Sequence, residues 1–321
     1  MFNIGNISIK TSVMEFKKQL FDNESLKKEL QLIADLYRNK NLNLAEKKIH
    51  KLIDKFPNIA ILYNLMGLVK SGKFDYKSSI IYYEKAIKLK SNFAEAYNNI
   101  GNSYNSLGNY LEAEINFKKA IRLNNNLIQA YNNLGNLYKS INKFKNSLLY
   151  FKKAIKINPN AFLIHNNLGL LYKSIGNIAK AKKSFKKSIL INNNFSPAHR
   201  NLSQITKYKN TNKHLNILKN LFLNEKIPDP DKREISFALG KAYEDMKDYD
   251  NAFRYFNIAN QTVKRNINYD INDDKKMFDD IKNKFNQNLF KKFIKSGNKS
   301  MKPIFIIGMP RSGTTLVEQI I

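Results

Sequence analysis

Apolar residues recur along most of the chain at steps of three and four, the spacing that gathers side chains onto one face of a helix. In the stretch from Ala96 to Asn126, Tyr97, Ile100, Gly101 and Tyr104 fall at i, i+3, i+4 and i+7. A second run places Ala113, Phe117 and Ala120 on a matching stripe. Gly108 stands between the two runs, where a left-handed cap would end the first helix. The pattern therefore predicts a helix–turn–helix hairpin. Gly176 and Asn142 occupy the same place in the following copies.

The hairpin recurs with a fixed period. Gly67, Gly101, Gly135 and Gly169 are spaced by 34 residues, as are Tyr63, Tyr97, Tyr131, His165 and His199. Tyr83, Phe117, Phe151 and Phe185 keep the same step, and so do Ala86, Ala120, Ala154 and Ser188. With Gly101 at position 8, units run over 26–59, 60–93, 94–127, 128–161 and 162–195. The first is divergent but in register, with Leu32, Ala45 and Pro57 at its apolar, small and proline places. The segment 196–232 decays after His199 and Leu202, and a good copy returns at 233–266, shifted by three. "AYNNIGNSYNSLGNYLEAEINFKKAIRLNNN" resembles the tetratricopeptide repeat. The resemblance implies an all-α, right-handed solenoid, because one hairpin cannot bury its apolar face alone whereas stacked copies can. The aromatics at positions 4, 11 and 24 read as core packing.

Asn99, Asn133, Asn167 and Asn201 occupy position 6 of four successive units. At 100° per residue each lies about 200° from the packing residue two places earlier, so the row is expected to face away from the core. A carboxamide carries both donor and acceptor, so such a row could pair with the backbone of an extended peptide. These repeats look like those of O-linked N-acetylglucosamine transferases, in which an asparagine row holds substrate backbone. The competing reading is compositional: asparagine is abundant, and Asn98, Asn132 and Asn166 sit beside the row.

After the repeats the pattern changes. Phe278, Ile281, Phe285, Leu289 and Phe293 mark an amphipathic helix within 267–302, with Asp273 and Asp274 near its start, where the helix dipole favours them. It is expected to cover the end of the solenoid and to lead, through Ser296 to Lys302, into "PIFIIGMPRSGTTLVEQII". Here an apolar run enters Gly308, and Gly313 follows five positions later, the spacing of a nucleotide-binding phosphate loop. The lysine that such a loop places after its second glycine is replaced by Thr314, and the basic residue is Arg311, inside the loop. That departure argues against an ATPase or kinase. Backbone N–H groups from Arg311 to Thr315 and the hydroxyls of Ser312, Thr314 and Thr315 can still converge on a tetrahedral anion.

"PIFIIGMPRSGTTLVEQI" resembles the 5′-phosphosulfate-binding loop of sulfotransferases, in the form found in tyrosylprotein sulfotransferase-like enzymes. Bacterial proteins that join tetratricopeptide repeats to such a domain match the layout over residues 26–321. The resemblance implies 3′-phosphoadenosine-5′-phosphosulfate as co-substrate, a protein or peptide hydroxyl as acceptor, and repeats that present that acceptor. Arg311 would bind the phosphosulfate and offset charge on the leaving phosphate, with Ser312, Gly313, Thr314 and Thr315 cradling the 5′-phosphate. Residues 303–321 read as the first strand, loop and helix stub of an α/β domain, too short to close one, since parallel strands need both faces covered. The expectation is a truncated domain that is inactive by itself. The alternative is a non-catalytic scaffold whose repeats bind a partner protein.

Composition narrows the partners less than it first suggests. The net charge is +29, yet 48 of the 55 basic residues are lysine, spread along the whole chain together with abundant Asn, Ile, Tyr and Phe. This reads as compositional bias and argues against nucleic acid as the partner, while a basic surface still attracts acidic ligands. Cysteine is absent, and His50, His165, His199 and His214 are not at metal-ligand spacing, so no metal is expected. No apolar run reaches membrane-spanning length and no basic, apolar leader opens the chain, so a cytoplasmic protein without a membrane partner is expected.

Overall fold

A computed structural model describes residues 24–224, 227–266 and 270–284, together with 288, 289 and 291. These form helices throughout, with no strand among the described residues. The chain divides into two units, Met1–Val263 and Lys264–Ile321.

The first unit is a row of helical hairpins. Units 26–59 to 162–195 supply the pairs α1 (Glu24–Arg38) and α2 (Leu42–Lys55), α3 (Ala60–Gly72) and α4 (Tyr76–Leu89), α5 (Ala94–Ser106) and α6 (Tyr110–Leu123), α7 (Ile128–Ser140) and α8 (Phe144–Ile157), and α9 (Phe162–Ser174) and α10 (Ile178–Ile191). The degenerate segment still makes a hairpin, of a shortened α11 (Ser196–Gln204) and α12 (Lys213–Leu223). The shifted copy gives α13 (Asp229–Asp245) and α14 (Tyr249–Asn266).

The expected stripes meet inside each hairpin. Phe117, Phe151 and Phe185 are buried, as are Ala113, Ala120, Ala154 and Ala181. Full burial of one such phenylalanine contributes about 2–3 kcal/mol. The ring at position 24 lies directly on the glycine at position 8. A Cβ added to Gly135 would stand 2.7 Å from Cε1 of Phe151. Gly67, Gly101, Gly169 and Gly240 meet Tyr83, Phe117, Phe185 and Phe256 in the same way. Unit 26–59 has Ile33 and Ile49 at these two positions, and both are buried, so bulk shared between two isoleucines replaces glycine against an aromatic ring. Leu32, expected to be an apolar contact of that unit, is exposed instead.

The turn inside each hairpin is uniform. Gly108 and Gly176 have φ of 78° and 81°. Lys40, Phe74, Asn142 and Lys247 hold the equivalent place with φ of 59–64°. Each is followed by a residue whose N–H reaches back five residues, as from Asn109 to the Tyr104 carbonyl at 2.9 Å and from Lys143 to that of Tyr138 at 2.8 Å. This closure caps the helix C-terminus. Between units, Asn124, Asn158 and Asn192 accept a bond from the N–H two residues on, at 2.9–3.1 Å, which fixes the inter-repeat turn. Part of the asparagine abundance is thus structural.

In the second unit, α15 (Ile271–Lys284) carries Asp273 and Asp274 in its first turn, as the charge pattern predicts, and Lys282 and Lys284 in its last. Phe278 and Ile281 on it are exposed. Phe285 and Phe293, the linker and the whole of 303–321, including the proposed strand, lie outside the described residues. So do Arg311, Ser312, Gly313, Thr314 and Thr315. Among the described residues no helix is long and apolar enough to cross a membrane.

Candidate functional site

The first helices of successive units lie side by side, which brings positions 5 and 6 of neighbouring units together. Asn99 Nδ2 donates to Asn64 Oδ1 at 3.0 Å, Asn133 to Asn98 at 2.9 Å, Asn167 to Asn132 at 2.8 Å and Asn201 to Asn166 at 2.9 Å. The result is a ladder of carboxamides with one rung per repeat junction. It is absent between α1 and α3 because position 6 of unit 60–93 is Leu65, and it ends at α11 because position 5 there is Arg200.

This ladder corrects the expected orientation of the row. Asn99 and Asn133 are only 2% and 6% exposed, not turned away from the core. The adjoining first helix covers them, a contact that the 200° rotation within a single helix leaves out. Asn167 and Asn201 are half-buried. Each rung occupies one donor of a carboxamide that has two. Asn98, Asn132 and Asn166, the neighbours that favoured a compositional reading, prove to be three of the ladder's four acceptors, with Asn64 the fourth. An i to i+35 pairing, one residue longer than the period, is the sequence signal that identifies them.

The row nevertheless borders open space. A cleft of about 560 Å³ runs across the first helices α7, α9, α11 and α13, and Asn132, Asn136, Asn166, Asn167, Asn201 and Gln204 present amides to it. Leu163, Leu170 and Phe195 supply its apolar floor. A smaller cleft of about 240 Å³ adjoins it through Asn132 and Leu163 and includes Asn133 and Phe162. Of the expected asparagines, Asn133, Asn167 and Asn201 therefore border these two clefts, whereas Asn99 lines neither of them. Asn136, Leu170 and Gln204 were not singled out from sequence. They lie four residues after position 5 on their helices, and so on the same face.

Charge collects at the α11–α13 end. The guanidinium of Arg200 donates to Glu234 Oε2 at 2.7 Å, and that of Arg233 to Glu234 Oε1 at 3.0 Å. Arg200 also lies 4.4 Å from the centroid of the Phe237 ring. Two arginines thus share one buried carboxylate beside the cleft.

Behind α11, sequence spacing missed a second cluster. His199 Nε2 lies 2.8 Å from the Asn193 carbonyl, so it carries the proton. Its Nδ1 then accepts from His214 Nε2 at 2.9 Å, and His214 Nδ1 accepts from the Tyr208 hydroxyl at 2.6 Å. Every polar atom in this chain of bonds is used only if both rings are neutral. Burial lowers the pKa of both histidines, that of His214 to about 3, and raises that of Tyr208 to about 12. The same position-4 contact occurs in two other units: Tyr63 donates to the Pro57 carbonyl at 2.9 Å, and His165 Nε2 lies 2.8 Å from that of Pro159.

Comparison with known proteins agrees with this geometry. Sequence profiles described as tetratricopeptide repeat match residues 60–93, 92–160, 150–183 and 234–259. An uncharacterized protein of Aquifex aeolicus (strain VF5) is 36% identical over 118 residues, which are 37% of this chain and 16% of that protein. The chain thus spans about a sixth of the length of this relative. Among solved structures, the Cut9–Hcn1 hetero-tetramer of the APC/C is similar over 81% of this chain and 54% of its own, at 14% identity and a TM-score of 0.55. YrrB, described as a TPR protein with an unusual peptide-binding site, is 22% identical over 64% of this chain and 96% of its own, with a TM-score of 0.41. The hairpins, their capped turns and the matching profiles thus identify residues 60–183 and 234–259 of this chain as tetratricopeptide repeats.

Proposed function

We propose that the chain is a protein-interaction module whose first-helix face binds an extended peptide. The observation that supports this most directly is the amide-lined cleft of about 560 Å³ with an apolar floor. A peptide backbone offers one donor and one acceptor per residue, which side-chain amides can meet in either sense, while Leu163 and Leu170 receive apolar side chains. The ladder holds its carboxamides in place beforehand, so little ordering is left to oppose binding. The test uses residues outside the ladder, and because Leu170 also packs against the core at Phe185 and Leu202, thermal stability is measured beside affinity. Peptides selected from a random library should bind the chain, and Asn136→Ala with Leu170→Ala should weaken them at least about tenfold, the scale of two lost contacts of about 1 kcal/mol each. Failure to select any binder, or unchanged affinity in the double variant, refutes the reading.

The terminal sequence supports a second reading, in which the bound peptide is an acceptor for sulfuryl transfer. It rests on Arg311 within "PRSGTT" in place of a phosphate-loop lysine. In that reaction the acceptor hydroxyl oxygen bonds to sulfur, the bond from sulfur to the 5′-phosphate oxygen breaks, and the hydroxyl proton passes to a base. Preorganised donors around the leaving phosphate supply the stabilisation. The measurement is transfer of radiolabelled sulfate from 3′-phosphoadenosine-5′-phosphosulfate to a bound peptide by the full-length protein. Arg311→Ala should abolish it; absence of transfer and of donor binding removes this reading and leaves the peptide groove untouched.

A further inference from the structure

The basic residues are not balanced evenly along the repeats. From Ile115 to Asn224 the chain has twenty lysines and arginines and no aspartate or glutamate. This stretch holds about two thirds of the net charge of +29. It builds α7, α9 and α11, the three helices that carry most of the cleft.

Cations also extend the cleft-lining stripes. On α7, Asn132, Asn136 and Lys139 fall at i, i+4 and i+7, and on α9 so do Asn166, Leu170 and Lys173. Such residues share one helix face. Lys173 Nζ donates to the cleft residue Gln204 at 2.6 Å. Lys139 is half-buried, and no carboxylate among the described residues lies within ion-pair distance of it. Burial without a counter-charge lowers its pKa. Several other partly buried cations do have a carboxylate partner: Lys70 and Lys73 pair with Glu46, Lys118 with Glu114, and Lys241 with Asp245. At the α11 end, Arg200 and Arg233 face the single carboxylate of Glu234.

We propose that the cleft across α7, α9 and α11 takes a peptide segment rich in aspartate and glutamate, whose carboxylates meet Lys139, Lys173 and Arg200. This rests on the peptide-binding reading of the same cleft and names the class of partner. A peptide fits better than a nucleic acid because the floor is largely aliphatic and amide, and its aromatic ring, Phe195, is only 9% exposed and packs edge-on against Phe162. Leu163 and Leu170 lie there, where stacking of bases calls for aromatic platforms.

The experiment measures fluorescence anisotropy of the whole chain with three labelled probes of equal length: an Asp/Glu-rich peptide, an uncharged peptide and a single-stranded oligonucleotide. The acidic peptide should bind tightest, with an affinity that falls as salt rises. Lys139→Gln with Lys173→Gln should weaken it about tenfold, in the range for charge pairs that are partly desolvated. Lys183→Gln with Lys187→Gln makes the same change in net charge on exposed positions of the second helix α10, and should change affinity less than about twofold. Equal losses in the two variants overturn the proposal, since attraction would then belong to the charge of the whole molecule. An uncharged peptide binding as well as the acidic one overturns it while sparing the peptide groove. Tighter binding of the oligonucleotide at the same cations replaces the peptide with nucleic acid.

Discussion

The rings of His199 and His214 lie almost parallel, 5° apart, with Nδ1 of the first 2.9 Å from Nε2 of the second. The bond needs a proton on His214 Nε2 and a bare His199 Nδ1. A second proton on His199 would place two donors face to face, beside the positive charge of Lys186, which also lowers the pKa of His214.

The pair therefore sets an acid limit on the segment that links the regular repeats to the shifted copy. Both folded pKa values lie below the unfolded value of 6.5. The unfolded chain takes up protons first as pH falls. The contribution to stability is present above 6.5 and is lost on the way down to about 3 for His214. For His214 the loss approaches about 1.4 kcal/mol per pH unit, and His199 adds to it in the same direction. Chemical denaturation between pH 7 and 5, above most carboxylate titration, should show this slope, and His214→Gln should flatten it. A level wild-type profile contradicts the assignment.

The ladder should behave as coupled pairs. Asn98 and Asn133 are both buried, so truncating either to alanine strands its partner and should cost about 1–3 kcal/mol. The double variant should cost less than the sum of the singles, with a coupling of about 0.5–1.5 kcal/mol in a double-mutant cycle. Asn132 and Asn167, which are half-buried, should give smaller values in the same cycle. Strict additivity at Asn98 and Asn133 would deny the bond.

Two glycines should respond to alanine for different reasons. At Gly135 the new methyl meets the buried Phe151 ring at 2.7 Å. The resulting strain, about 1–3 kcal/mol, exceeds the roughly 1 kcal/mol gained in helix propensity. At Gly108 nothing lies within 4 Å, but φ is 78°, so the cost is conformational and about 1 kcal/mol. Gly135→Ala with Phe151→Leu should recover part of its loss, whereas no change at position 24 should help Gly108→Ala. Thermal melts of the four proteins decide this.

Glu46 joins the first two units through Lys70 at 2.7 Å and Lys73 at 2.5 Å. Its bonds to Lys70 and then to Lys73 hold its pKa below the ordinary value of 4.5. Its contribution is thus present above 4.5 and lost as pH falls through the folded value. Glu46→Gln should cost about 1 kcal/mol at neutral pH and low salt, less in high salt and still less in acid. Equal cost across those conditions would mean that packing, not charge, joins the units there.

The hairpins were legible because their cause is local. Gly101 against Phe117 and the left-handed turn at Gly108 follow from residue type and spacing within one unit. Lys40, Phe74 and Lys247 adopt the same turn without glycine or asparagine, and only the repeat register reveals them. What sequence could not give is contact between units. The burial of Asn99 and Asn133 depends on the next first helix, and the meeting of His199 with His214 depends on a hairpin whose repeat signature has decayed. The charge gap from Ile115 to Asn224 is present in the sequence, but only the cleft, most of whose lining lies within it, gives it a meaning.

Each rung of the asparagine ladder takes one residue from either side of a junction, and all four junctions use the same two positions. Such a device is indifferent to which unit stands on which side. Duplication or loss of a whole 34-residue segment within 94–195 regenerates the junction it disturbs, whereas gain or loss of a single residue breaks it. The gene can therefore lengthen or shorten this surface in whole steps, adjusting how much of a ligand is spanned without redesigning any one contact.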